Sequence, residues 1–274
     1  MSHAFWTTIN PPAHLLLALL AVPLSLSLGA GGGRSPLLEV AGTVFRVTMP
    51  DGRVLSSPDL IGAVLDVADE AGQTMTVRID AVARDRSDGD GDVWLHRFSI
   101  LDAGTGGWRE LCTPAPDGTV AGFPVAGSWT SDRRHLRGSS GFTVTCASGA
   151  VGKCVRFGYK PWRDARGESL WDYHQACVRM VTADYGGDGV GHTRDGTVID
   201  PFDRLGILRP EPDPRDHDLE FEAAWGLDGA ICVRRTRIPE LLSTNELTAR
   251  YPQLGDRIGE NCSEAVDALI WNRS

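Results

Sequence analysis

The side chains best suited to chemistry lie close together in the second half of the chain. His174, Asp184 and His192 combine imidazole and carboxylate groups, which general acid–base catalysis requires. His174, Asp188, His192 and Asp195 form a second, overlapping set that could ligate a metal ion and leave one position open for water. These residues are therefore the candidates for catalysis and for metal binding.

The motifs that usually accompany such chemistry are missing from the sequence. It contains no G-x-S-x-G nucleophile turn, no H-E-x-x-H zinc motif and no P-loop. Asp188-Gly189 and Asp195-Gly196 are also common turn dipeptides, and the Asp184 side chain could cap a turn. Three interpretations remain open for these residues: a structural role, a ligand or cation site, and catalysis.

A helix is predicted to position several of these groups. Residues 170–185 carry an apolar stripe at helical spacing, with Ser169 as the N-cap and Gly186-Gly187 as the terminator. The members of this stripe are Leu170, His174, Cys177, Val178 and Val181. Residues 155–157 are β-prone and precede Pro161, so they predict a strand that carries Cys154 beside the helix.

All six cysteines lie in the C-terminal part of the chain: Cys112, Cys146, Cys154, Cys177, Cys232 and Cys262. An even count in a chain with an apparent export signal predicts three disulfides. The absence of C-x-x-C leaves the zinc-ribbon and thioredoxin interpretations without their motif. Proximity favours Cys232 with Cys262, and either Cys154 or Cys146 with Cys177, among the connectivities allowed. In a reducing compartment, His174 and Cys177 would instead be half of a metal site, one helical turn apart.

The N-terminal 30 residues predict an export signal or a membrane anchor. Residues 15–30 are an apolar run that is short for a transmembrane helix and suits a signal-peptide core. The first basic residue is Arg34, so the usual positive amino-terminal region is absent. A secreted or cell-envelope location follows, with membrane contact only if this segment is not cleaved.

The remaining pattern predicts an α+β fold that is mainly β. Residues 36–103 alternate as a small β-rich region, and residues 108–274 form a disulfide-bonded domain with a central short helix. Short helices are predicted in three places: residues 59–66, 241–249 and 264–271. The spacing of Asp88, Asp90 and Asp92 is similar to a calcium loop, and a solvated hairpin tip is the alternative. A net charge of −9 argues against binding to nucleic acid.

Three long runs of sequence resemble the bacterial ADYC domain family. They are K-C-V-x-F-G-Y-K-P-W, then H-Q-A-C-V-R-M-V-T-A-D-Y, then G-D-G…H-T-R-D-G-T-x-I-D. The similarity covers roughly residues 108–262 and implies export without implying a particular chemistry. The chain departs from the name-giving motif, because Gly186 follows Ala183-Asp184-Tyr185 where relatives have Cys. Tyr251 stands where a second Cys is expected, which suggests that the two changes remove one bridge.

The favoured function is that of an exported or envelope-associated domain that binds or supports another molecule. The partner class is a protein, a glycan or a small ligand, and no cofactor is expected unless a metal ion binds. Trp162, Trp171 and Tyr185 flank polar loops and would suit such a surface, although a core position is the favoured interpretation for each. The alternative is a secreted hydrolase, with or without a metal, that uses His174, Asp184 and His192.

Overall fold

The computed structural model describes residues 35–68, 72–210 and 219–274, together with two short strands nearer the amino terminus. The predicted export segment, residues 1–30, therefore lies outside the described residues except for the backbone of those two strands. Among the described residues, no helix has the length and apolar character needed to span a bilayer.

The fold is mainly β, as predicted, with strands outnumbering helices. The strands in chain order are β1 (Trp6–Thr7), β2 (Leu17–Ala18), β3 (Leu37–Ala41), β4 (Val44–Thr48), β5 (Val54–Ser56), β6 (Val64–Ala68), β7 (Thr74–Arg84), β8 (Trp94–Leu101), β9 (Trp108–Glu110), β10 (Gly122–Ala126), β11 (Phe142–Cys146), β12 (Asp164–Ala165), β13 (Glu168–Ser169), β14 (Thr197–Val198), β15 (Asp200–Asp203), β16 (Phe221–Gly226), β17 (Gly229–Val233) and β18 (Ile270–Arg273). The helices are α1 (Ala150–Arg156), α2 (Leu170–Thr182) and α3 (Thr244–Arg250), with 3-10 turns at Ser57–Leu60 and Pro252–Arg257.

Two compact units divide the chain. Among the described residues, the N-terminal unit comprises β2 and those of residues 35–130 and 135–152, and the C-terminal unit comprises β1 and those of residues 131–134 and 153–274. The N-terminal unit thus includes strands as far as Cys146, on both sides of the division that the sequence suggests near residues 103–108. The predicted domain limits, 1–30, 36–103 and 108–274, stay predictions.

The N-terminal unit is built from two antiparallel sheets. One has seven strands in the order β2-β11-β10-β8-β7-β6, with β9 beside β8, and the other is the meander β3-β4-β5. Along β4, β6, β7 and β8, apolar residues recur at about every second position and face a shared core, because successive side chains of a strand point to opposite faces. The members of this core include Phe45, Val47, Leu65, Val67, Val77, Ile79, Phe98 and Ile100.

His96 lies within this aromatic core, and we predict that it makes the unit sensitive to acid. Its ring stacks on Phe98 with centroids 5.4 Å apart and meets the Phe45 ring edge-on at 5.5 Å. Burial lowers the pKa of His96 to about 4, so the folded state binds the proton less readily than the unfolded chain. The contribution of neutral His96 to the free energy of unfolding is therefore fully present above the pKa of the unfolded chain, near 6.5. It is lost as the pH falls toward 4.

The expected loss of unfolding free energy attributable to His96 is about 3 kcal/mol between pH 7 and pH 4. Denaturant unfolding across that range measures it. The variant His96→Phe removes the titrating group while it keeps an aromatic ring, so its stability should fall less steeply with acid. Parallel pH profiles for the two proteins would show that His96 does not titrate differently on folding.

In the C-terminal unit, α2 packs against a four-stranded sheet. The strands are antiparallel in the order β15-β18-β16-β17, and α2 packs against β16, β17 and β18. Every α2 residue from Tyr173 to Thr182 is buried, so the helix is enclosed on all sides and not only along the predicted stripe. A helix this deeply buried must satisfy its polar side chains internally.

All six cysteines are disulfide-bonded, as predicted. The pairs are Cys112–Cys146, Cys154–Cys177 and Cys232–Cys262. The first closes a loop within the N-terminal unit, and the other two lie in the C-terminal unit. Each bridge contributes roughly 2–4 kcal/mol by restricting the unfolded chain.

Three local predictions are wrong. Residues 155–157 form the end of α1, at Arg156, and the turn that follows, and not a strand, so the Cys154–Cys177 bridge joins two helices. Residues 59–66 divide between a 3-10 turn and β6, whose alternating side chains pair with β7. Residues 264–271 end in β18, which pairs with both β15 and β16 and completes the sheet.

Candidate functional site

The residues at the C-terminal end of α2 form the first part of the site. The helix ends at Ala183, which adopts a left-handed backbone conformation with φ of 49°. The sequence predicts this role for Gly186-Gly187, because glycine enters that region without steric cost. The Ala183 N–H bonds the Met180 carbonyl at 3.0 Å and the Asp184 N–H bonds the Arg179 carbonyl at 2.9 Å, so the turn closes the helix and sends the next two side chains inward.

Asp184 forms a buried ion pair at this turn. Its Oδ2 lies 2.5 Å from Nη1 of Arg179, and both side chains are fully buried. The carboxylate also accepts the Asp188 and Gly189 backbone N–H groups at 3.1 and 3.0 Å. Burial raises the pKa of Asp184, and the positive charge of Arg179 opposes that rise. The geometry makes Asp184 the organiser of the loop that follows α2.

Tyr185 continues inward to a second buried network. Its hydroxyl donates to Oε1 of Glu222 at 2.9 Å and accepts from the Arg237 backbone N–H at 2.8 Å. Burial raises the pKa of Tyr185 well above its usual value. Its ring stacks on Trp225 with centroids 5.3 Å apart. Tyr185 is therefore a core residue, as the sequence favours, and not part of an exposed aromatic surface.

Glu222 and Arg237 complete this network. Nε of Arg237 lies 2.9 Å from the Glu222 carboxylate, and Asn272 donates to the same carboxylate at 2.6 Å. Arg237 also donates to the carbonyls of Met180 and Val181 at 2.7 and 3.2 Å, in the last turn of α2, where carbonyl groups run out of partners within the helix. The network ties the helix end to β16, β18 and the segment after β17.

His192 lies beside the ADY turn, residues 183–185. Its Nδ1 lies 3.1 Å from the Ala183 carbonyl, which makes Nδ1 the protonated nitrogen of the neutral ring. The buried Nε2 has no hydrogen-bond partner among the described residues. Burial lowers the pKa of His192, so the neutral form is favoured.

Asp188 marks the solvent-facing edge of the same loop. Its carboxylate accepts the Val190 N–H at 3.0 Å and the Tyr251 hydroxyl at 3.1 Å. Tyr251 also meets the His192 ring edge-on, with centroids 6.4 Å apart. Asp184, Asp188 and His192 thus lie close enough to influence one another's pKa, and each already serves the loop.

The other two candidates lie elsewhere. His174 is fully buried within α2. Asp195 is half-buried near Lys153, whose charge opposes the rise in the pKa of Asp195 that burial causes. Burial in turn lowers the pKa of Lys153 to about 8.

Metal-ligating groups converge at another place in the described part of the chain. Within residues 35–68, 72–210 and 219–274, the one set of three His, Cys, Asp or Glu side chains whose ligand atoms converge is Asp88, Asp90 and Asp92. Asp88 there accepts the Asp92 and Val93 backbone N–H groups, each at 2.9 Å, as a hairpin tip requires. The metal set His174, Asp188, His192 and Asp195 stays a prediction.

Sequence reasoning missed a cavity beside the ADY turn. It has a volume of about 390 Å³ and lies between Tyr185-Gly186, the β16–β17 turn and the 3-10 turn Pro252–Arg257. The walls can meet because Gly187 and Gly229 lack Cβ atoms. A Cβ on Gly229 would approach the Gly187 nitrogen and the Tyr185 oxygen to 2.7 Å. The signal in the sequence was the glycine pair after Tyr185 together with glycines at both ends of the hairpin turn.

The structure brings Gly186 and Tyr251 together, as the hypothesis of a lost bridge requires. A Cβ built on Gly186 would overlap the Tyr251 ring. We therefore predict that the double variant Gly186→Cys/Tyr251→Cys forms a fourth disulfide, since removal of the ring leaves the two positions facing each other.

Intact mass before and after reduction, with thiol labelling, measures this bridge. The oxidised double variant should label no thiol and gain about 2 Da more on reduction than the parent protein. The single variant Gly186→Cys serves as the control and should label one thiol. Two labelled thiols in the double variant would refute the hypothesis.

The fold and site together define a mainly β, disulfide-bonded domain organised around the turn at the end of α2. The profile of the ADYC domain matches residues 57–239, which is more than half of the chain. The chain therefore belongs to the ADYC domain family. No curated protein and no solved structure shows a significant match to it.

Proposed function

We propose that this protein is an exported domain that binds another molecule and has no catalytic activity of its own. The observation that carries the proposal is the state of the candidate catalytic groups. His174 and Asp184 are fully buried, and the Asp184 carboxylate is shared among Arg179 and two backbone N–H groups. A group that catalyses hydrolysis must reach substrate or water, whereas these groups hold the interior together.

Export is supported by the chemistry of the cysteines. Three disulfides fit an extracellular protein, because reducing compartments keep thiols free. The apolar run at residues 15–30 suits a signal peptide, or an anchor if it is retained. Bacterial secretion, with residence outside the cell or in its envelope, is the location that we propose.

The metal content of the purified protein tests the functional proposal against a metal-dependent hydrolase. We expect less than one equivalent of metal, and the same low content in the variant His192→Ala. Asp88→Ala serves as a control, since it alters the converging acidic residues Asp88, Asp90 and Asp92. One equivalent that His192→Ala loses and Asp88→Ala retains would instead favour the hydrolase.

A further inference from the structure

The cavity beside the ADY turn has the construction of a small-ligand site. Its walls come from three separate elements, and its size falls within the range of pockets that hold small molecules. Main-chain groups of Gly186, Gly226 and Gly229 form part of the lining, and Leu227, Ile231 and Leu254 supply its apolar surface. A ligand there would find both apolar contact and backbone polar groups.

Arg257 is the positive charge of this lining. Its Nε lies 3.3 Å from the Leu254 carbonyl and its Nη2 lies 2.5 Å from the Gln253 carbonyl. Arg257 is exposed, and these two bonds restrain its guanidinium group, which lowers the side-chain entropy lost when it binds an anion. Nη1 takes part in neither bond.

Arg257 has no carboxylate within ion-pairing distance among the residues that the structure describes. Other arginines of the C-terminal unit are paired with acidic side chains. These paired arginines are Arg134, Arg179, Arg204, Arg234, Arg235, Arg237, Arg250 and Arg273. In a chain with 36 acidic and 27 basic residues, an arginine without such a partner that also lines a cavity is available to pair with an external anion.

The one acidic side chain of the lining does not cancel this charge. Asp228 lies on the β16–β17 turn, and its carboxylate is 2.7 Å from Nη1 of Arg134. Asp228 therefore already has an ion-pair partner outside the lining. Arg257 is the positively charged side chain among the lining residues, and the Gln253 amide is a neutral donor and acceptor there.

We infer that the cavity binds a small ligand through a carboxylate, which pairs with Arg257 while the rest of the ligand contacts Leu227, Ile231 and Leu254. The inference rests on the proposed binding function and specifies its site and ligand class. A guanidinium group matches the two oxygens of a carboxylate, and such charge-assisted bonds are about twice as strong as neutral ones. The carboxy terminus of a peptide supplies such a carboxylate, and a C-terminal alanine adds a short apolar side chain.

Two probes of nearly equal size test the inference. The first probe, N-acetyl-alanyl-alanine, carries a free carboxylate. The second probe is the same dipeptide with a carboxy-terminal amide, which is neutral. Binding to the full chain is measured by titration calorimetry, or by saturation-transfer NMR if it is weak. We expect the acid to bind at least about tenfold more tightly than the amide, which corresponds to one charge-assisted hydrogen bond.

Two arginine variants separate the cavity from general surface charge. Arg257→Gln should abolish the preference for the acid. Arg235→Gln is the matched control, since it removes the same charge from an exposed arginine outside the lining, and it should retain the preference. Thermal unfolding of both variants confirms that each is folded.

Each other outcome has a defined meaning. Equal binding of acid and amide that is lost in the cavity-filling variant Ala230→Phe would overturn the carboxylate inference and leave the binding function standing. Equal loss of the preference in both arginine variants would show surface attraction only and would also overturn it. Absence of binding by both probes would overturn it too, and the metal measurement on His192→Ala would still decide the proposed function separately.

Discussion

Replacement of Arg237 by methionine is expected to lower the free energy of unfolding by about 3–5 kcal/mol. The side chains of Arg237 and Glu222 are both fully buried, so Arg237→Met would leave the Glu222 carboxylate without its charge partner in the interior. The change also removes the donors to the Met180 and Val181 carbonyls at the end of α2. Methionine keeps the apolar length of the side chain, which limits the cavity that would otherwise add to the loss.

Equilibrium denaturation with urea measures this effect, and an exposed pair provides the control. Arg235 and Glu220 lie 2.6 Å apart, with exposed side-chain fractions of 37% and 74%. Arg235→Met should cost at most about 1 kcal/mol, because surface ion pairs contribute little. The double variant Arg237→Met/Glu222→Gln should recover part of the loss, since it no longer buries an unpaired charge. Equal effects at the two arginines would contradict the assignment of Arg237 to the interior network.

The second large effect is expected at Asp184, where Asp184→Ala should also cost about 3–5 kcal/mol. Removal of the carboxylate leaves the guanidinium group of Arg179 buried without its partner, and two backbone N–H groups lose their acceptor. Thermal and denaturant unfolding of the variant measure the loss.

Asp188→Ala is the control within the same loop. Its carboxylate makes hydrogen bonds at the surface, so the expected loss is about 0.5–1.5 kcal/mol. A folded Asp184→Ala variant with nearly unchanged stability would contradict the structural role of Asp184. In that case Asp184 would return as a candidate for catalysis.

These two predictions bear on function because they give the buried charged residues at the end of α2 a role in stabilising the fold. Asp184 and Tyr185 each reach a different buried arginine, and together they fix the end of α2 against the sheet. The turn therefore provides a rigid wall for the neighbouring cavity. A binding site gains affinity from such preorganisation, because less ordering is needed when the ligand arrives.

Local patterns predicted much of the fold correctly. Alternation identified β7 and β8, and turn residues identified the β16–β17 hairpin, because a strand with one buried face repeats every second residue. The even cysteine count predicted three disulfides, and short separation favoured the Cys232–Cys262 pair. These features depend on neighbours in the chain or on simple parity.

The failures occurred where distant segments decided the structure. Residues 155–157 have β-prone side chains but lie at the end of α1 and in the turn after it. Residues 270–273 form a strand that gains hydrogen bonds from both β15 and β16. Ala183 terminates α2 in place of the glycine pair, because Asp184 and Tyr185 gain buried partners when the helix ends there. Local propensity is worth less than the contacts that these choices make possible.

The sequence by itself determined that the fold is mainly β and that all six cysteines pair. It also determined that a helix, α2, is followed by a polar loop at the candidate site. Only the tertiary structure decided what those groups do. Glu222 and Arg237 are distant along the chain from Tyr185, so no local pattern could reveal that Tyr185 serves the interior. Arg179 is close to Asp184 in sequence, but only the packing around α2 shows that this pair is fully buried. The cavity beside Arg257 likewise exists because glycines from two distant segments allow their backbones to meet.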